Sequence, residues 1–509
     1  MKKISIKCWV FISVVLLFFS TLALVQKKKL PVLYLPFESI VEPVNPIKSV
    51  GQDWTEVLNQ IFERPFFFSR DGVIEPQLAK DWTYDESFKE LTIKLKDGVY
   101  FHNGKLLDAL DVKYSLESLS KSNTQIESQM RFTNIKSIEV LDKLILKIHL
   151  IAPSLDFLYF LASSNIRIIP FGILESSKNI LDYWVGTGAF RFDRLDGKKV
   201  ILKKFDKYRE KVPLEGIEFI ETDNPQELFR QGKLDLIEIA RHEIAKYSEN
   251  EDYVTYSYPI MGSFYIGFNM NLPVFQNRNL RMAIFHAIDR KRIVEGVEIE
   301  DFLIPKHIVP IGMPGYESAD SGSYNISLAR EYLAKVPRHK WPKESDLVVS
   351  LPEKPHAMAL YAIKIADEGL RKIGLSLRSV EVIEKSGSGK IADFYSYLDR
   401  TKNFKIFLRG MIATYPSTDF LLRQAFAKGS PMNFGDVANA KFEAVMRNPP
   451  EGFLNITLDS YYKEALSYIN EEMPVIPLGN LKSNMVFRKS FPLRVNALSP
   501  NFVLYKDSL

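Results

Sequence analysis

The chain has 509 residues, of which 46% are hydrophobic and 25% charged, a composition typical of globular proteins rather than disordered or multi-span membrane proteins. This length predicts two or three domains. The formal net charge is +5, but residues 1–29 contain six lysines and no acidic residue, so the remainder carries −1. A nearly neutral body gives no electrostatic reason to expect a nucleic-acid partner.

The N-terminus combines three early lysines with an apolar run from Cys8 to Val25. This pattern is typical of an export signal with Ala23 at its cleavage site, and the run is also just long enough to span a bilayer as an uncleaved anchor. Residues 1–29 are therefore predicted to be an export signal or a membrane anchor, with the body outside the cytoplasm. Cys8 is the single cysteine, so the body can form no disulfide of its own.

Strand signals dominate the first half of the chain. A strand at 31–35 and a helix at 54–62 precede a strand at 91–95, in which apolar and polar residues alternate. Asp108 and Asp111 have the spacing of a capping box at the start of the next helix. Because strands and helices then alternate along the chain, the pattern predicts an α/β protein.

A hairpin is predicted around the Asp196-Gly197 turn, with Phe190 and Phe192 opposite Val200 and Leu202. After it, the sequence predicts a strand at 217–220, a helix at 226–231 and a strand at 234–239. Later helices are predicted at 327–335, 356–373 and 459–472, and later strands at 347–351, 375–383 and 405–410. The second half therefore reads as a further α/β unit.

Residues 264–290, which we call the pivot, change from an extended aromatic run to a helix near the middle of the chain. The turn is at Leu272-Pro273, and Asn279 is the predicted N-cap. The helix has one apolar face, formed by Leu280, Ala283, Ile284, Ala287 and Ile288. We therefore expect the chain to leave one lobe here and begin another.

Seven segments, each weak alone, occur in matching order: 76–82 (PQLAKDW), 96–104 (KDGVYFHNG) with 111–112, 185–190 (VGTGAF), 232–235 (GKLD), the pivot at 268–269, 281–283 and 287–290, 372–374 (KIG), and 472–477 (EMPVIP). Together they resemble the extracytoplasmic solute-binding proteins of ABC transporters, in the oligopeptide- and dipeptide-binding family 5. Agreement of seven segments spanning most of the chain is improbable by accident.

The resemblance implies a two-lobed periplasmic-binding-protein fold, α/β with mixed sheets and type II-like, with an extra subdomain inserted in the first lobe. On that pattern lobe I combines 30–63, 183–282 and 478–509, the insert is 64–182, and lobe II is 283–477. The chain then crosses between the lobes at the pivot and again before the tail. Two crossings suit hinge closure around a ligand, which stabilises the closed form.

The implied function is an exported, monomeric receptor that captures a peptide or peptide-like solute and delivers it to the permease of an ABC transporter, on the periplasmic side of the inner membrane. No cofactor is expected. The alternative is a ligand-sensing envelope protein that keeps the fold, has a diverged site and takes no part in transport.

The implied ligand site differs from that of peptide-binding relatives at one segment. Their pattern Gly-Trp-x-x-Asp-Tyr places an Asp against the α-amino group of the peptide. Here Met411 replaces the Trp, Thr414 stands in place of the Asp, and Tyr415 follows. A hydroxyl does not neutralise a desolvated ammonium, so the pattern predicts weak binding of free-amino peptides. Asp419 could take the place of that Asp only if the loop is displaced, and the favoured alternative is that Asp419 is a helix N-cap or a first-turn helix acid.

Two further groups complete the predicted site. The stretch after the first strand, Glu38, Ser39, Ile40 and Val41, corresponds to the wall that offers backbone groups to an extended peptide in relatives. Glu38 is the charged candidate for ligand binding in this stretch, and the alternative is that it is an ordinary solvated loop residue. Arg409 could bind a ligand carboxylate, and the alternative is an exposed charge at a strand end.

No enzyme is expected. Residues 387–390 (GSGK) lack the first glycine and the final Ser or Thr of a phosphate loop, since Glu384 and Ile391 stand there. The sequence contains no Gly-x-Ser-x-Gly elbow. The seven histidines show no paired spacing, so no zinc or other metal site is indicated.

Overall fold

The computed structural model describes residues 30–489 apart from gaps, which are 41–42, 49–51, 69–73, 123–131, 133, 155–156, 177–178, 240–242, 297–303, 320–322, 344, 353–354, 356, 382–397, 399–400, 402, 414–416, 431 and 448–457. The predicted leader at 1–29 lies outside the described residues. Within the described ranges, no helix is both long enough and apolar enough to cross a bilayer.

The described chain mixes strands and helices throughout. The strands are β1 (Val32–Phe37), β2 (Phe66–Phe68), β3 (Ile74–Pro76), β4 (Ala79–Tyr84), β5 (Glu90–Leu95), β6 (Ile135–Asp142), β7 (Ile145–Leu150), β8 (Phe190–Leu195), β9 (Lys199–Lys204), β10 (Gly216–Glu221), β11 (Leu236–Glu238), β12 (Tyr253–Phe268), β13 (Val348–Leu351), β14 (Arg378–Glu381), β15 (Ile406–Ile412) and β16 (Val475–Arg488). The helices are α1 (Gln52–Ile61), α2 (Ala109–Ser122), α3 (Phe157–Leu161), α4 (Ile173–Ser176), α5 (Pro225–Arg230), α6 (Ile244–Ser248), α7 (Arg278–Ala287), α8 (Arg290–Gly296), α9 (Ile326–Ala334), α10 (Ala357–Arg371), α11 (Thr418–Phe426), α12 (Ala440–Arg447) and α13 (Leu458–Glu472), with 3₁₀ turns at Ile180–Tyr183, Pro273–Gln276 and Arg338–Lys340.

These strands form mixed and antiparallel sheets. One sheet has the order β1-β10-β9-β8, with β1 parallel to β10 and the other pairs antiparallel. A second, antiparallel sheet has the order β4-β5-β7-β6, beside the short pair β2-β3. The largest sheet has the order β11-β16-β12-β15-β13-β14, in which β13 is parallel to both of its neighbours. Parallel and antiparallel pairs therefore occur together, as predicted.

One apolar core, which we call the first core, underlies the first two sheets. It extends from Leu33 of β1 through Leu91 of β5 and Leu146 of β7 to Phe219 of β10. The region predicted as an insert therefore shares its core with the β1 sheet instead of packing around a core of its own.

The second core lies on both faces of the largest sheet, because side chains alternate along a strand. Phe264, Ile266 and Phe268 of β12 pack with α7 and α10 on one face. Met261 and Tyr265 pack with α11, α12 and α13 on the other face. The strand and the helix of the pivot thus belong to one packed unit.

The chain passes between the two cores along β12 and β16. The first half of β12 pairs with 482–488, and the second half with 475–480. The pairing register shifts between Pro259 and Ser263. The predicted boundary between 282 and 283 would cut through α7, a single helix in the second core. We therefore move the proposed crossing upstream, to 259–263.

The predicted capping box is confirmed at the start of α2. Asp108 Oδ1 accepts hydrogen bonds from the backbone N–H groups of Leu110 (3.0 Å) and Asp111 (3.1 Å). Asp111 Oδ2 accepts a hydrogen bond from the Asp108 N–H (2.9 Å). Each side chain thus accepts from the backbone N–H of the other residue, as in a capping box.

Two local predictions are wrong in register. The N-cap of α7 is Asn277, whose Oδ1 accepts from the Asn279 N–H (3.0 Å), so the cap lies two residues before the predicted one. In the β8–β9 hairpin Phe192 is opposite Leu202 as predicted, but Phe190 is opposite Lys204. Antiparallel pairing explains the difference, because partner numbers fall along one strand as they rise along the other. The register shift comes only after Phe192, and it places Val200 opposite Leu195.

Replacing Gly369 with Ala is expected to destabilise the protein by about 1–3 kcal/mol. In an ordinary helix interior this change stabilises by about 1 kcal/mol. Here an added Cβ would collide with the Ala287 carbonyl oxygen, because α10 touches the end of α7 at Gly369. Urea unfolding measures the difference.

Gly410→Ala is the matched control, since no heavy atom lies within 4 Å of the Cβ that it would add in β15. A Gly369→Ala variant as stable as the wild type would show that the two helices can separate without cost.

Candidate functional site

The first predicted wall of the site is the loop after β1. Glu38 and Ser39 are exposed and Ile40 is half-buried, while Val41 lies outside the described residues. The Phe37 carbonyl accepts from the Thr222 N–H (3.0 Å). The Ile40 N–H donates to Glu221 Oε2 (3.2 Å). Two backbone groups that an extended ligand could use are thus already engaged within the protein.

This wall rests on a buried aromatic cluster. The rings of Phe37 and Trp54 are 5.1 Å apart, those of Trp54 and Trp184 are 5.5 Å apart, and those of Trp184 and Phe192 are 5.0 Å apart, all edge to face. Trp184 Nε1 donates to the Val44 carbonyl (2.9 Å). Edge-to-face packing of large rings gives the loop a rigid base.

Arg409 lies inside β15, where it is 5% exposed. The predicted alternative of an exposed strand-end charge is therefore wrong, because β15 continues past Arg409 to Ile412. The guanidinium carbon is 4.3 Å from the Phe434 ring centroid, and Nη1 donates to the Met432 carbonyl (3.2 Å). A π face and a carbonyl offset part of the cost of burying the charge.

Tyr265 of β12 is directly opposite Arg409. Burial raises the pKa of the Tyr265 phenol, and the neighbouring Arg409 opposes that rise. A neutral phenol beside a guanidinium is a stable buried arrangement. Arg409 therefore holds the segment around Met432 and Phe434 against the sheet, and a contact with ligand stays a prediction.

Met411 is buried in a cross-strand row at the crossing between the cores. It is opposite Ser263 of β12, which is opposite Asn480 of β16. Asn480 Oδ1 accepts from the Ile311 N–H (3.3 Å), and its Nδ2 donates to the Gly262 carbonyl (3.4 Å). Sequence reasoning missed Asn480, because a lone Asn in an apolar strand carries no motif.

The remaining predicted residues flank a short gap. Thr414 and Tyr415 lie outside the described residues. After them α11 begins, with Ser417 as N-cap, its Oγ accepting from the Phe420 N–H (3.1 Å). Asp419 Oδ2 accepts from Arg423 Nε (2.8 Å), one helical turn later.

Asp419 is thus a first-turn helix acid, which was the favoured alternative. A negative charge at this end of a helix is stabilised by the helix dipole. Because Arg423 binds its carboxylate, Asp419 is not presented as an isolated anion to a ligand.

The comparisons with known proteins agree with this architecture of two cores joined by two long strands. The sequence pattern of the bacterial extracellular solute-binding proteins, family 5 (middle region), matches residues 73–433, more than half of the chain. The chain belongs to family 5 of these proteins.

Relatives and solved structures cover most of the chain. The glutathione-binding protein GsiB of Salmonella paratyphi A is 24% identical over 449 residues, which are 84% of this chain and 85% of that protein. The DppA protein of Helicobacter pylori, solved with the peptide STSA, has a TM-score of 0.70 at 19% identity and covers 94% of this chain and 99% of its own. NikA of Brucella suis, solved with Fe(III)-EDTA, has a TM-score of 0.77 at 19% identity and covers 93% and 98%.

Membership confirms the predicted family, the two-lobed α/β fold and the role as an extracytoplasmic solute-binding protein of ABC transport. We therefore call the units around the first and second cores the first and second lobes. The solutes of these proteins differ, since GsiB is named for glutathione, DppA was solved with a peptide and NikA was solved with a metal chelate. Membership does not test the individual site residues, which stay predictions.

Proposed function

We propose that this protein captures a peptide-like solute between its lobes and delivers it to an ABC permease in the inner membrane. This class of cargo is supported by two relatives, GsiB, which is named as a glutathione-binding protein, and DppA, which was solved with a peptide. The protein would act as a monomer in the periplasm, with residues 1–29 either removed or retained as an anchor.

We further propose that the solute carries no free α-amino group in the position used by ordinary peptides. The observation that carries this proposal is the Asp419–Arg423 pair, with 2.8 Å between Oδ2 and Nε. Thr414 stands where relatives have the anchoring Asp, so neither residue offers an unshared carboxylate. An ammonium group that left water for this part of the site would lose its hydration and find no countercharge to offset that cost.

Calorimetry with di- to pentapeptides and glutathione, each with and without N-acetylation, tests this proposal. We expect acetylation to change affinity by less than about threefold, because no charged partner is lost. Tight binding that acetylation weakens more than tenfold would contradict it. Mass spectrometry of the molecule retained on purification then identifies the natural solute.

Thr414→Asp, with Thr414→Asn as its uncharged control, gives the complementary result. The Asp variant should gain affinity for free-amino peptides by about tenfold or more, since a charge-assisted hydrogen bond becomes available. The Asn variant should gain nothing. Equal behaviour of the two variants would show that position 414 does not face the amino group of the ligand.

The second candidate function is a ligand-sensing envelope protein that delivers nothing to a permease. The departures at Met411 and Thr414 are the observation behind it, since a diverged site accompanies loss of peptide transport as well as a change of cargo. Neighbouring genes for a permease and an ATPase would support transport, and an isolated gene would support sensing.

A further inference from the structure

Helix α11 is buried on nearly every side. Its exposed fraction is at most 8% at eight positions, which are Thr418, Asp419, Phe420, Leu421, Leu422, Gln424, Ala425 and Phe426. A helix at the surface of a lobe shows one apolar face and one solvated face. Only Arg423 is partly exposed, and burial around the rest of the circumference indicates that α11 is enclosed by more than one packed unit.

The two sides of α11 contact different cores. At about 100° per residue, Leu421, Leu422, Ala425 and Phe426 share one face, and all four belong to the second core. Phe420 projects from the opposite face, and it belongs to the first core, in the cluster that includes Leu236 and Met485. Among the described residues from 263 to 480, Phe420 alone is a member of that cluster.

The backbone of α11 is nevertheless fixed to the second lobe. Thr418 Oγ1 donates to the Pro314 carbonyl (2.6 Å), and the apolar stripe anchors the rest of the helix. Phe420 is thus carried by one lobe while its ring packs with the core of the other. Separation of the lobes would move the ring out of that core and expose it to water.

We propose that Phe420 is the side chain through which the second lobe closes on the first, and hence a positioning residue for ligand capture. The proposal rests on capture between the two lobes, but not on the peptide-like chemistry of the solute. Burial of the ring favours the closed arrangement, and the apparent affinity for a ligand of that arrangement scales with its population.

Distances between spin labels on the two lobes test the proposal without any ligand. In the full chain, Cys8→Ser removes the native thiol, and Lys198→Cys and Lys291→Cys place one label on each lobe, at side chains that are 73% and 76% exposed. Phe420→Ala should shift the population from the shorter to the longer distance by about 10- to 100-fold, the range expected for one phenyl ring. Phe420→Leu should restore part of the short-distance population.

Phe426→Ala is the matched control, because Phe426 is an equally buried phenylalanine of the same helix that faces only the second core. It should lower the denaturation midpoint but leave the distances unchanged. A Phe420→Ala distribution identical to the wild type, or an equal shift in Phe426→Ala, would overturn the proposal.

Titration with the di- to pentapeptide mixture adds an affinity readout. Where a peptide binds the wild type, Phe420→Ala should weaken it about 10- to 100-fold, in proportion to the lost closed population. Phe426→Ala should leave the affinity within about threefold. If neither free nor N-acetylated peptides bind the wild type, the proposal of a peptide-like cargo fails, while the ligand-free distances still decide the role of Phe420.

Discussion

Replacing Arg209 with Met is expected to lower the free energy of unfolding by about 3–5 kcal/mol. Arg209 binds the Glu63 carboxylate with two parallel hydrogen bonds, Nη1 to Oε2 and Nη2 to Oε1, both 2.7 Å. The Tyr208 hydroxyl donates to the same carboxylate (3.1 Å), and the Glu63 side chain is fully buried. Without the guanidinium, a buried anion loses its countercharge. That loss destabilises the fold far more than the loss of an exposed ion pair does.

Arg194→Met provides the matched control, because Arg194 pairs with Asp193 at 2.6 Å but is 52% exposed. Its loss should cost less than about 1 kcal/mol. Urea unfolding at neutral pH measures both variants. Equal, small effects of the two variants would mean that the buried Glu63 carboxylate does not depend on Arg209 for its countercharge.

Acidification from pH 6.5 to pH 4 is expected to remove about 3 kcal/mol of stability through His102 alone. Burial lowers the pKa of His102 from 6.5 to about 4. The contacts explain why the neutral ring is required. Nε2 lies 2.9 Å from the Gly188 carbonyl, to which it donates, and Nδ1 accepts from the Gly186 N–H at 3.4 Å.

The direction follows from proton binding. The unfolded chain takes up the proton near pH 6.5 and the folded protein only near pH 4, so the contribution is full above pH 6.5 and is lost as the pH falls. Burial also lowers the pKa values of His286 and His307, so the wild-type profile contains their effects too. Urea unfolding from pH 4 to pH 8 gives the free energy of unfolding of the wild type and of His102→Gln at each pH. The difference between the two curves isolates the contribution of His102. A slope that is unchanged in the variant would show that the ring is protonated at no cost in the fold.

Much of the fold was predictable because its signals are local. The capping box at Asp108 and Asp111 and the apolar periodicity of α7, α10 and α13 depend on residues a few positions apart. The pivot helix was predicted, but its cap was placed at Asn279 instead of Asn277, since two asparagines two residues apart offer the same side chain.

The candidate site was less predictable, because its environment comes from distant parts of the chain. Arg409 has the same sequence neighbours whether it faces solvent or a core. Only the pairing of β15 with β12 places it beside Tyr265, under Phe434. Arg423, one turn after Asp419, binds the Asp419 carboxylate, a pairing that the sequence analysis did not predict, and a contact of Asp419 with ligand stays a prediction. The role of Thr414 at the position that binds the α-amino group in relatives rests on the family pattern alone and stays a prediction.

The sequence by itself therefore determined the element types, the family and, through that family, a two-lobed solute receptor. These depend on periodicity, turn chemistry and ordered motifs, which are written along the chain. Tertiary structure alone showed that residues 282 and 283 lie within one helix, which supports the proposed crossing at 259–263, and that Phe420 packs in the first core although its helix is anchored in the second. Both depend on contacts between residues that are distant in the chain, and burial against such partners leaves no local pattern.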